Sequence, residues 1–151
     1  SGAKSGSFQA MTTTHDEAPH CYFAVYADPA AIGHVTIEGG KFGNRNMPKN
    51  MAPGDMVLLY CTSSYAGYAK SIPAMGLITT VDHDQRDFWY DFMPFEEPVP
   101  LDFVRFVVTD DDRTHIANMR HEWLFQISRE SFRSVMQGAK LKSNRPSTGS
   151  G

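Results

Sequence analysis

Cysteine is scarce in this chain of 151 residues; Cys21 and Cys61 are the only two. A pair excludes the disulfide-dense scaffolds of small secreted domains. Both lie inside apparent strands, so buried free thiols in a reducing compartment are expected, with one bridge between them as the alternative. The six histidines are dispersed and form no Cys/His spacing suited to zinc. Long apolar runs are missing too: none nears the ~18 residues of a membrane span. No basic n-region leads into an apolar h-region, as a secretory leader requires. The expectation is a soluble, intracellular protein without a membrane partner, placed in the cytoplasm or nucleoid, or in the nucleus of a eukaryote.

Catalytic signatures are equally sparse. The sequence has no G-x-S-x-G, no H-E-x-x-H, no P-loop and no G-x-G-x-x-G. Gly39-Gly40-Lys41-Phe42-Gly43 carries loop glycines but lacks the Gly-Lys-Ser/Thr of a phosphate cradle. Asp110-Asp111-Asp112 offers oxygen ligands, yet no glycine or distant glutamate completes a calcium loop. The triplet is expected instead to cap a short helix running through Met119, where carboxylates favour the N-terminus. No catalytic residue, cofactor or metal is therefore expected.

What is present suits one folded domain. The hydrophobic share is 41%, with ten Phe and six Tyr, and a domain of this length buries roughly 70% of its unfolded surface. Residues 1–10 look like an expression remnant before Met11, 11–20 a flexible lead-in, 21–141 the domain, and 142–151 a disordered tail rich in Ser, Gly and Pro. Cys21 to Tyr26 is aromatic and β-branched, a strand, after which Pro29 opens a weakly patterned helix. Met56 to Cys61, bounded by the turn at Ala52-Pro53-Gly54-Asp55, is a buried strand. Ala74 to Val81 and Phe88 to Phe95 are further strands, the latter ended at Pro94, with Gly76 a bulge or a point of close approach. Residues 65–71 read as a loop and 96–101 as an extended link. Phe103 to Val108 is a short helix or strand, and 120–125 leads to a last strand or turn. Ser128 is an N-cap, followed by Phe132, Val135 and Met136 at helical spacing. The expected architecture is α+β: a small, partly open β-barrel of five to six strands with short helices packed on it.

Net charge is −3, which argues against coating nucleic acid through phosphates alone. The distribution says more. Residues 82–112 hold ten acids against Arg86 and Arg105, whereas 39–54 holds Lys41, Arg45 and Lys49 and no acid. Residues 129–145 are also basic, with Glu130 their only acid. If the two basic stretches share a face, the domain is electrostatically two-sided.

The loop from Gly39 into the strand ending at Tyr60 is the stretch that points to function. It delivers basic and amide side chains onto a core strand whose end opens into Thr62-Ser63-Ser64-Tyr65, and loops fixed on rigid strands are where sites concentrate. Recognising an unstacked base takes flat aromatics and a few polar groups for its edge. Tyr26, Phe42, Tyr60, Tyr65, Trp89 and Trp123 are candidates for stacking, each with core packing as its alternative. Asn44, Asn46, Thr62, Ser63 and Ser64 are candidates for the edge, and Lys41, Arg45 and Lys49 for phosphates.

Gly43-Asn44-Arg45-Asn46, then Gly54-Asp55, then Met56 to Tyr60 followed by small hydroxyl residues, resembles the EVE domain of the PUA-like group, which also holds YTH and ASCH domains. The resemblance runs in weaker form over 21–136, and Phe42 stands where EVE domains often carry Trp. It implies a monomeric, non-catalytic module that binds DNA or RNA at a modified base. Its pocket would take Tyr26, Phe42, Asn44, Asn46, Tyr60, Thr62, Ser63, Ser64, Tyr65 and Trp123. Two alternatives stay open. One is an ASCH-like enzyme acting on a nucleobase or nucleoside amide, with Lys41 or Lys70 as activated amine, Thr62 as nucleophile and Glu122 as base. The other is a protein-interaction module using the acidic 82–112 region.

Overall fold

A computed structural model describes residues 19–27, 36–43 and 45–140. The expression remnant, the lead-in up to residue 18, the helix at Pro29, Asn44 and the tail lie outside the described residues.

The fold is α+β, a six-stranded, partly open barrel in the order β2-β5-β4-β3-β1-β6. Its strands are β1 (Cys21–Tyr26), β2 (Lys41–Gly43), β3 (Met56–Cys61), β4 (Ser71–Asp82), β5 (Asp87–Pro100) and β6 (Leu124–Ile127). Helices α1 (Leu101–Val107), α2 (Asp110–Ala117) and α3 (Arg129–Gly138), with a single helical turn at Met119–Glu122, follow β5 and flank β6. β1 lies between a parallel partner, β3, and an antiparallel one, β6. Every residue of β1 is buried, because a strand covered on both faces must be apolar throughout.

Alternation along the strands divides the interior into two layers. Cys21, Phe23 and Val25 of β1 and Leu58 and Tyr60 of β3 pack with Val104, Ile116, Phe132 and Val135, so this face is closed by helices. Tyr22, Ala24, Tyr26, Val57, Leu59 and Cys61 face the other way and pack with Ile37, Met47, Met51, Phe88 and Tyr90. The two basic stretches therefore do not share a face: the loop around Arg45 and Lys49 is anchored by Met47 and Met51 on one side, and α3 by Phe132 and Val135 on the other.

Several boundaries differ from expectation. β5 continues through Pro94 and Pro98 to Pro100 rather than stopping at Pro94. β2 pairs only with Asp87 to Trp89, so no strand lies along the rest of that β5 edge, where Tyr90 and Glu96 donate instead to the Gly40 and Lys140 carbonyls and prolines are tolerated. Ala74 pairs with Pro94 beside an irregularity in register that accommodates the ring. Lys41–Gly43, expected as loop, forms a short strand, and Ser71 belongs to β4. Leu101–Val107 is helical. Gly76 is a point of close approach: a Cβ there would stand 2.6 Å from the Tyr90 ring.

The acidic triplet fills the first turn of α2, but Thr109 is its N-cap, accepting from the Asp112 N–H at 3.3 Å. Asp110 pairs with Arg113. Asp112 is buried and receives the hydroxyls of Thr109 (3.0 Å), Ser128 (2.8 Å) and Ser131 (2.5 Å) and the Ser128 N–H (3.1 Å). Because Ser128 caps α3, one carboxylate ties together the starts of two helices. Burial pushes its proton affinity up, but the bonds from Ser131, Ser128 and Thr109 outweigh burial and hold the carboxyl below its ordinary value. A depressed folded-state pKa adds stability above the unfolded value of about 4 that is lost as pH falls through the folded one. Asp112→Ala should cost about 2–3 kcal/mol at pH 7. Urea unfolding of both proteins at pH 7 and pH 3 should show the gap narrowing in acid; an undiminished gap would remove the carboxylate from this role.

Candidate functional site

The parallel pairing brings the C-terminal ends of β1 and β3 side by side. Tyr26 stands in register with Cys61, and the Thr62 N–H donates to the Tyr26 carbonyl at 2.9 Å. Around this point three buried tyrosines gather on the 3-10 turn Ile37–Gly39. The Tyr90 hydroxyl donates to the Ile37 carbonyl at 2.6 Å, and the Ile37 N–H donates to the Tyr65 hydroxyl at 3.2 Å. The Tyr26 and Tyr90 oxygens are 2.8 Å apart, and the Lys41 carbonyl lies 3.0 Å from Tyr26. Since Tyr90 spends its proton on Ile37, Tyr26 has one proton to share between Tyr90 and Lys41.

Burial raises the pKa of Tyr26, Tyr65 and Tyr90, Tyr90 adding to it at Tyr26. All three are neutral hydroxyls near pH 7. Burial also pushes the Cys61 thiol up to about 12, with Glu38 adding to the effect, and Cys21 up to about 11. Both cysteines are free and buried, as expected, and neither is activated.

An aromatic surface adjoins the hydroxyls. The half-buried Phe42 ring lies 4.9 Å from Tyr26 and 5.8 Å from Phe88, and Tyr65 lies 6.0 Å from Tyr68. The Thr62 and Ser64 hydroxyls meet at 3.0 Å on the exposed rim. The loop after β2 is held on both sides: Asn46 Nδ2 donates to the Glu122 carbonyl at 3.0 Å, and Asn50 Nδ2 to Gln126 Oε1 at 3.3 Å. Buried Asp55 anchors its far end, accepting from the His20 N–H (3.1 Å), the Tyr22 hydroxyl (3.2 Å) and the Ala52 N–H (3.0 Å).

Of the residues singled out from sequence, Tyr26, Phe42, Thr62, Ser64 and Tyr65 come together here, with exposed Ser63 beside them and Asn46 in the adjoining loop. Two do not. Tyr60 alternates onto the helix-side layer, where it stacks on Phe23 at 5.6 Å, and Trp123 packs against that same layer. Trp123 adopts φ 60 and closes the turn before β6, donating its N–H to Met119 while its carbonyl accepts from Val25. A bulky residue in that region is strained, and the two backbone bonds hold it there. Lys41 Nζ is 3.7 Å from Asp87 and 5.4 Å from the Trp89 ring, while Arg45 and Lys49 are exposed.

The residues of the alternative catalytic set have these partners. The Glu122 carboxylate lies 3.1 Å from His115 Nδ1, Lys41 is turned onto Asp87, and Lys70 meets Cys61 through its backbone. Tyr90, Tyr68 and Glu38 escaped the sequence. Alternation of Phe88 and Tyr90 along β5 was a usable signal for Tyr90; none distinguished Glu38.

No family model and no curated protein matches the chain. Solved structures with a similar fold include these two. A serine-to-alanine variant of ZmASCH from Zymomonas mobilis aligns with a TM-score of 0.50 at 12% identity, covering 82% of this chain and 99% of that one. Rpa0253 from Rhodopseudomonas palustris aligns with a TM-score of 0.50 at 14% identity, covering 78% of this chain and 91% of its own. At these identities the likeness is one of fold alone, the α+β partly open barrel.

Tyr90 is the hinge of the cluster, so Tyr90→Phe should leave the Ile37 carbonyl only the long bond from the Gly40 N–H at 3.4 Å, at a cost of about 1–2 kcal/mol. Gly76→Ala should displace the same ring sterically and destabilise to a similar degree or more. Thermal unfolding of both variants checks this. A Tyr90→Phe protein as stable as the parent would mean the hydroxyl network carries no stability.

Proposed function

We propose that this protein is a non-catalytic module that reads a modified base in DNA or RNA, an EVE-like reader on a PUA-like fold. The observation that carries it is the meeting of the Phe42 face with three neutral tyrosine hydroxyls at the paired strand ends, beside an exposed loop bearing Arg45 and Lys49. Stacking surface, edge hydrogen bonds and flanking cations are the three parts that recognition of an unstacked base requires. The protein acts as a monomer, and selectivity comes from the pocket rather than from bulk charge.

Binding is favoured over turnover because the groups that would do chemistry are occupied elsewhere. The thiol of Cys61 is protonated, the Glu122 carboxylate faces His115, and Lys41 pairs with Asp87. The PUA-like fold is compatible with either role, so the case rests on these side chains.

Two measurements test the proposal. Phe42→Ala should weaken binding to a modified oligonucleotide by about ten- to a hundredfold, while lowering stability less than Phe88→Ala, which empties a fully buried site. Equal binding by Phe42→Ala and parent would place the pocket elsewhere. The double change Arg45→Ala and Lys49→Ala should weaken all oligonucleotides alike and reduce the salt slope by roughly 2. A change in base preference with an unaltered slope would reverse the assignment of roles.

A further inference from the structure

Glu38 follows the residue on which the hydroxyl cluster is built. The peptide groups of Ile37 hold Tyr65 and Tyr90, and the 3-10 turn then exposes the Glu38 side chain next to them. The turn has little freedom: Gly40 has φ 74, and a Cβ on it would stand 2.9 Å from the Tyr90 carbonyl. The chain passes directly from there into β2, which carries Phe42. Glu38 thus stands in the turn that joins the hydroxyl cluster to the strand carrying Phe42, with its side chain exposed.

Two further observations bear on what this carboxylate does. The first is electrostatic. Glu38 raises the proton affinity of Cys61, Tyr65 and Tyr90 on top of burial, so its field reaches the cluster. On the opposite sheet face cations outnumber anions: Arg129 and Arg133 act against Asp55 at Cys21, and Arg105 acts at Tyr60. Lys41, the nearest base in sequence, is drawn to Asp87. The second is a spare donor. Tyr65 is 5% exposed and accepts from Ile37, but its own O–H has no acceptor among the described residues. A buried donor without a partner is costly to leave unmade, and a ligand acceptor would satisfy it.

The geometry points to Glu38 as the residue that sets ligand charge: the site takes a base whose modification is uncharged and offers an acceptor to Tyr65, and it turns away one bearing a carboxylate. This rests on the base-reading function proposed above and adds to it the chemical class of the ligand. A ligand carbonyl takes the Tyr65 proton without meeting the negative field, whereas a carboxylate meets Glu38 with no compensating cation in the cluster.

The test uses one oligonucleotide sequence with a single cytosine that is unmodified, 5-formylated or 5-carboxylated. Parent protein should bind the formyl strand most tightly and the carboxyl strand no better than the unmodified one. Glu38→Gln should raise affinity for the carboxyl strand by about five- to tenfold at low salt and leave the formyl strand within about twofold. Glu38→Lys should raise it further, and Tyr65→Phe should lower formyl binding alone. If Glu38→Gln leaves the formyl-to-carboxyl ratio unchanged while the parent still prefers a modified strand, the role of Glu38 is overturned and the reader function stands. If the parent binds all three strands equally, both are overturned.

Discussion

The parallel pairing of β1 with β3 is the constraint on which the rest depends. Two neighbouring strands that run the same way finish at the same edge, so Tyr26 and Cys61 end side by side and the chain leaves both into loops there. An antiparallel pair would have joined one strand's end to the other's beginning. Connecting parallel strands takes a long crossover, which here spans residues 27–55 and contains the basic loop. The candidate site follows from that topology: the crossover must pass over one face of the sheet, and it brings Ile37, Phe42 and Met47 with it.

The same pairing assigns side chains to roles. With a period of two, Tyr22, Ala24 and Tyr26 share a face with Leu59 and Cys61, and Phe23 shares the other with Tyr60. Tyr26 joins hydroxyl groups and Phe42, whereas Tyr60 joins phenyl rings and the helices. Two tyrosines of the same chemistry, at nearly the same level of the sheet, thus serve a polar cluster and an apolar core. Similar division of labour holds for the acids. Asp55 and Asp112 are buried anchors, one for the crossover and one for two helix starts, while Glu38 remains exposed and acts through its charge.

Strands with strong apolar or aromatic runs were legible in the sequence, and so were the buried thiols, the Ser128 cap and the close approach at Gly76. These features depend on local composition or on a single residue's shape. β2 was not legible, because Lys41-Phe42-Gly43 has no period of its own and is extended only through its pairing with β5. The extent of β5 was hidden by its prolines, whose tolerance depends on which edge lies unpaired. For the site, the loop and the strand end were recognisable as neighbours, but the face each aromatic takes was not used. Counting alternation from Cys61, which is in register with Tyr26, would have placed Tyr60 on the opposite face. Trp123 lay beyond such counting, since a left-handed residue at a turn follows no strand register.

A cluster of tyrosines can support chemistry only if one of them ionises or relays a proton within reach of a base. Here burial drives all three hydroxyls away from ionisation, and the protons of Tyr26 and Tyr90 are directed at backbone carbonyls and at each other. The nearest thiol is held protonated by the same burial and by Glu38. Such an arrangement holds fixed dipoles in a dry environment, where a hydrogen bond discriminates strongly because an unmatched partner has no water to turn to. In the base-reading function proposed above, that interior sets the cost of a wrong edge by desolvation, and Glu38 sets the cost of a wrong charge.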